Sequence, residues 1–146
     1  YMEERDYSNA AEIFRSFVDR YPDNIVLRRF LGKVYVSMKR YDDAIAQFSE
    51  MGRIDPRIVK YKYFIGATMI ISGDDKTSAA GERELRAFIA AEKSKYWRAS
   101  AHYWLGRMYE RKKEKDKALI EYKAAHSLSP KIDDALKRAR GLGGGM

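Results

Sequence analysis

The chain has 146 residues, 45% hydrophobic and 34% charged, with a formal net charge of +8. That is the size of one ordinary domain, with enough apolar material for a core and too much for a disordered tail. It contains no cysteine, which excludes a disulfide framework, a thiol nucleophile and a thiolate metal site, and no stretch reaches the ~18 consecutive apolar residues of a membrane helix. Cysteine-free chains occur in reducing and oxidising compartments alike, so cytoplasm and periplasm both stay open, the cytoplasm being the first expectation.

Three prolines set a period. Pro22 and Pro56 are 34 residues apart, and Pro56 and Pro130 are separated by one 34-residue and one 40-residue step. At the chain start, Tyr1, Tyr7, Ala10 and Phe14 each stand 34 residues before Tyr35, Tyr41, Ala44 and Phe48. Tyr35 lies deep in the first helix of its unit, so the chain is expected to open part-way through a unit, as a piece of a longer protein with further repeats upstream.

The second unit shows the pattern in full. Leu27, Leu31, Gly32 and Tyr35 share one helical face, as 3.6-residue spacing requires. Lys39-Arg40-Tyr41-Asp42 is a polar break, after which Ala44, Ile45, Phe48 and Met51 form a second apolar stripe. Asp55-Pro56 closes the unit, because proline disfavours helical geometry in the residue before it. Glycine inside a helix costs about 1 kcal/mol against alanine, so Gly32 is expected to serve close approach of the partner helix.

In the third unit Ile65-Gly66 repeats Leu31-Gly32, and Phe88 and Ala91 are expected where Phe48 and Met51 fall. The six extra residues are placed near Gly73-Asp74-Asp75-Lys76-Thr77-Ser78, a turn-rich stretch lacking the ligand alternation of a calcium loop. The fourth unit carries Leu105-Gly106, Tyr109, Ala118, Tyr122, Ala125 and Pro130, and a closing helix follows from about residue 133. Residues 141–146 are glycine-rich and expected to be flexible.

In these residues the chain resembles the tetratricopeptide repeat family, whose unit is 34 residues long with small and aromatic residues in this pattern. The resemblance spans units 1–24, 25–58, 59–98 and 99–132. It implies an all-α, right-handed superhelical solenoid of antiparallel helix pairs, about three and a half repeats with a closing helix. It also implies a protein-interaction scaffold or adaptor whose first helices line a concave, peptide-binding side. The sequence departs from the family at the bulky residue three before the Leu-Gly pair, which here is Arg28, Lys62 and His102.

The concave side is found half a turn from the packing stripe. It carries Arg29, Phe30 and Lys33, then Lys60, Tyr63 and Phe64, then Tyr103, Trp104, Arg107 and Arg111. Aromatic anchors offer large contact area at low entropic cost, and arginine pairs well with carboxylates. That content suits an acidic or amphipathic peptide. The bland alternative is that the aromatics pack neighbouring helices together and the cations are solvated. The family's grip on chaperone tails uses asparagines beside lysines, and the two asparagines, Asn9 and Asn24, lie off this face.

Two other partners come to mind. A homo-oligomer would use the apolar edge of the incomplete first unit. Nucleic acid would use the basic run from Arg107 to Lys117, but Glu110, Glu114 and Asp116 interrupt it. No cofactor, metal site or catalytic group is expected. His102 and His126 lack an acid at ligand spacing, and the terminal glycines lack the lysine of a phosphate loop.

Overall fold

A computed structural model describes residues 4–142 of the protein. Eight helices run through these residues: α1 (Glu4–Arg20), α2 (Ile25–Ser37), α3 (Tyr41–Ile54), α4 (Lys60–Ser72), α5 (Asp75–Ala91), α6 (Lys95–Arg111), α7 (Lys115–Leu128) and α8 (Asp133–Gly141). There is no strand among the described residues. Tyr1 and residues 143–146, part of the expected tail, lie outside them.

Local chemistry starts and stops the helices. Asn24 accepts from the Leu27 N–H at 3.0 Å, Asp74 from the Thr77 N–H at 2.7 Å and Ser94 from the Trp97 N–H at 3.4 Å, each satisfying an orphan donor of a first turn. Asp74 is therefore a cap, and its carboxyl is held below the ordinary range by the Thr77 backbone and side-chain donors. Lys39 and Lys113 take left-handed φ angles of 60° and 63° in the α2–α3 and α6–α7 turns, and Gly73 takes 102° in the α4–α5 turn.

Helices α2–α3, α4–α5 and α6–α7 form antiparallel hairpins, each packed mainly on its neighbours in sequence, with α4 also touching α6. This is an all-helical solenoid, as the period implied. Two cores run through it. One joins Leu31, Tyr35, Phe48 and Met51 to Phe64, and the other joins Leu85, Phe88, Leu105 and Tyr122 to Ala135 of α8. Tyr63 and Trp97 pack against both.

The glycines sit where helices meet. A Cβ at Gly32 would lie 2.4 Å from the Phe48 ring, and one at Gly106 2.5 Å from the Tyr122 ring. In the middle hairpin, Leu85 rather than Phe88 faces the glycine, at 2.8 Å from a Cβ on Gly66. The expectation of a loop insertion is corrected here. Only Gly73 and Asp74 lie between α4 and α5, and the extra residues are helical. Helix α5 has 17 residues against 14 in α3 and α7, and α6 has 17 against 13 in α2 and α4. Asp74 caps a longer helix, so the polar Asp75–Ser78 stretch becomes a first turn instead of a loop.

Candidate peptide-binding face

The first helices of the hairpins, α2, α4 and α6, line an open cleft of about 410 Å³. Its apolar floor is Phe48, Phe64 and Trp97, with Phe64 stacked on Phe48 at 5.1 Å between centroids. Small side chains, Ser37, Ala67 and Ser100, leave the room. Lys33 stands exposed on the rim with its Nζ 5.4 Å from the Phe64 ring centre, a cation over an aromatic face. The cleft is thus an apolar slot with a positive edge.

Tyr63 and Trp104 join the hairpins at the cleft wall. Trp104 Nε1 donates to Tyr63 Oη at 3.1 Å, and the Tyr63 ring meets Phe88 at 5.4 Å and Trp97 at 5.2 Å. Burial raises the Tyr63 phenol above its ordinary range, against the opposing bonds to Trp104 and Ser100. Phe64 is buried yet lines the slot.

Four predicted residues, Arg29, Phe30, Lys60 and Tyr103, lie elsewhere. Phe30 stays 41% exposed but stacks on Phe14 of α1 at 5.7 Å, with the Arg29 guanidinium over its ring at 5.4 Å. Lys60, at the start of α4, sits 5.2 Å from the Trp97 ring centre and 3.5 Å from Glu92. Of the predicted set, Lys33, Tyr63, Phe64 and Trp104 share the apolar cleft.

Trp104 also walls a second cavity, of about 550 Å³, with Arg107, Glu110 and Arg111 on α6, Ile70 and Ile71 on α4 and Arg138 on α8. Tyr103 lines neither space. Its ring packs on Tyr122 at 6.1 Å, its hydroxyl donates to Asp134 of α8, and it accepts from Arg107 at 2.9 Å. Arg138 donates to Asp134 at 2.8 Å and to Glu110 at 3.3 Å. The Tyr103 and Arg138 donors hold the Asp134 carboxyl below its ordinary value. Tyr103 is therefore a tie to the closing helix, because its side of α6 faces the next element along the axis.

His102 does have an acid partner, contrary to expectation. Glu121 of α7, 5% exposed, takes His102 Nδ1 at 2.7 Å and the Arg86 guanidinium of α5 at 2.8 Å. Tyr109 bonds Glu82 beside it. Burial alone would raise the Glu121 carboxyl, but the His102 and Arg86 bonds outweigh it and leave it below the ordinary value. The cluster joins three helices across the core. In the basic run, Lys112 and Lys117 lie 3.7 and 3.6 Å from Glu114 in the α6–α7 turn.

Tyr96, Trp97 and Arg138 were missed by sequence reasoning. Trp97 stands seven residues before Trp104, two helical turns on one face, so spacing could have found it. The unit boundary at residue 98 concealed it, since α6 begins at Lys95. Arg138 belongs to the closing helix and has no counterpart in the repeat.

Stacked hairpins with an open inner face define a helical-repeat scaffold. Tetratricopeptide repeat models match residues 1–61 and residues 99–132. The chain belongs to the tetratricopeptide repeat family, and its repeats are those of a protein–protein interaction scaffold; members of the family are as a rule not catalysts. Two crystal structures of MamA match at 23% identity with TM-scores of 0.72 and 0.73, covering 94% and 97% of this chain and 72% and 84% of theirs. TTC0263, a thermophilic TPR protein of Thermus thermophilus, matches at 20% identity and a TM-score of 0.77, over 93% of this chain and 72% of its own. At such identities the likeness is one of fold. No curated protein matches the sequence. Among the described residues, no helix is long and apolar enough to cross a membrane.

Proposed function

We propose that the inner face of α2, α4 and α6 holds an acidic or amphipathic segment of a partner protein. The observation that carries this reading is the cleft of about 410 Å³, with Phe64 and Trp97 on its floor and Lys33 on its rim. An apolar side chain of the partner fills the slot while carboxylates meet the cations, an arrangement that excludes water around a few anchors. Contacts of this size leave micromolar affinity after ordering costs, on the order of −8 kcal/mol. Calorimetric titration with acidic, amphipathic peptides tests it. Lys33→Glu should weaken binding about tenfold with the melting temperature unchanged. Equal affinity for acidic and basic peptides would refute the reading.

A second reading, self-association, has its own observation. Ile13, Phe17 and Tyr21 are 56%, 46% and 50% exposed and recur every four residues along α1 and just past its end, an apolar strip that a second copy could cover. Sedimentation at rising concentration should then show oligomers that Phe17→Glu dissolves; a monomer throughout refutes it.

A further inference from the structure

We infer that the arginine cavity between α4, α6 and α8 is the acidic subsite of the same groove, so that the partner segment is read in two parts. This rests on the reading that the inner face binds a peptide. Arg107 and Arg111 lie one turn apart on α6, and both open into the cavity. Arg107 donates to the Tyr103 hydroxyl at 2.9 Å and Arg111 to the Ser78 hydroxyl at 3.0 Å. Arg138 across the cavity is paired with Asp134 and with Glu110, which itself lines the cavity. Arg107 feels the Asp134 charge through the shared Tyr103 hydroxyl, and the Arg111 side chain bonds to Ser78. Three guanidiniums, Arg107, Arg111 and Arg138, against the two carboxylates of Glu110 and Asp134 leave the cavity with an excess positive charge. A carboxylate entering beside Arg107 and Arg111 offsets that excess and gains charge-assisted hydrogen bonds.

The cavity adjoins the apolar cleft, because Trp104 and Ile71 line both. The two differ in chemistry: aromatic floor and small residues on one side, three guanidiniums and the Glu110 carboxylate on the other. On α6 the cleft centres near Ser100 and the cavity between Arg107 and Arg111. About nine residues of helix separate them, or about 14 Å. An extended chain advances about 3.3 Å per residue, so the bound segment carries a bulky apolar residue and an aspartate or glutamate about four residues apart.

Fluorescence anisotropy with labelled twelve-residue Ser/Gly peptides tests this. One peptide carries Leu and Asp four apart, a second carries them adjacent, and a third carries Leu with Asn in place of Asp. The four-apart peptide should bind about tenfold tighter than either other. Arg111→Glu should abolish that advantage and leave the Leu–Asn peptide unaffected; Arg107→Gln should reduce it. If the peptides bind but Arg111→Glu weakens all three equally, or none, the acidic subsite is overturned while the peptide groove stands. If none binds the unaltered protein, at concentrations where it is folded by circular dichroism, both readings fall.

Discussion

Trp104 and Tyr63 share a hydrogen bond of 3.1 Å that runs from the first helix of one hairpin to the first helix of the hairpin before it. It is placed where the two cores meet, beside Trp97, and it forms one wall of the cleft. Solenoids are held by nearest-neighbour interfaces, so a bond at this junction couples the two halves. Tyr63→Phe keeps the ring packing and removes the acceptor. The indole N–H, at a half-buried position, can turn to water. Chemical denaturation should show a loss of about 1 kcal/mol, with a broader transition if the halves begin to melt separately.

Gly81 stands where Ala44 and Ala118 stand in the flanking hairpins, facing the backbone of α4. A Cβ there would lie 2.9 Å from the Gly66 carbonyl oxygen and 3.0 Å from Met69 Cβ. Alanine gains about 1 kcal/mol in helix propensity, which alone predicts stabilisation. The neighbour is backbone and cannot swing aside, so α4 and α5 must part. Gly81→Ala should therefore lower stability, by about 1–3 kcal/mol as other overpacked sites do, read from the denaturation midpoint.

The period, the hairpins and the glycine contacts were legible because each depends on residues within one or two helices. Gly32 and Phe48, or Gly106 and Tyr122, recur at fixed spacing since the same contact is made again. The middle unit was misread because Asp75, Lys76, Thr77 and Ser78 look like a turn in isolation, and the cap at Asp74 makes them a helix start. For the candidate site, helical phase picked out Lys33, Tyr63, Phe64 and Trp104, which line the cleft, and Arg107 and Arg111, which line the cavity beside it. It could not separate Tyr103 from them, because Tyr103 is claimed by Asp134, thirty-one residues away on a helix outside the repeat. Contacts that the repeat does not duplicate leave no periodic trace.

The tie between Tyr103 and Asp134 sets how firmly α8 is held. Tyr103→Phe removes the donor to Asp134 and the acceptor for Arg107 at once, leaving the Arg138–Asp134 pair on a helix of nine residues. Helices this short are marginal without tertiary contacts. Amide exchange in α8 should quicken by about tenfold, while α2 and α3, which do not pack on it, keep their protection. Equal acceleration throughout would show that the tie is global.

Glu121 gives stability a definite pH dependence. Its folded carboxyl lies below the ordinary 4.5, so the stabilisation from His102 and Arg86 is complete above that value and is lost as pH falls through the folded one. Glu121→Gln keeps the shape and one acceptor but loses the charge, and at neutral pH should cost about 1–3 kcal/mol, as lost bonds to charged groups do. Having no carboxyl to protonate at this position, the variant should lose less stability than the natural chain between about pH 5 and pH 3. The two unfolding curves therefore converge on acidification. Parallel curves over that range would place the acid sensitivity elsewhere, with the exposed carboxylates.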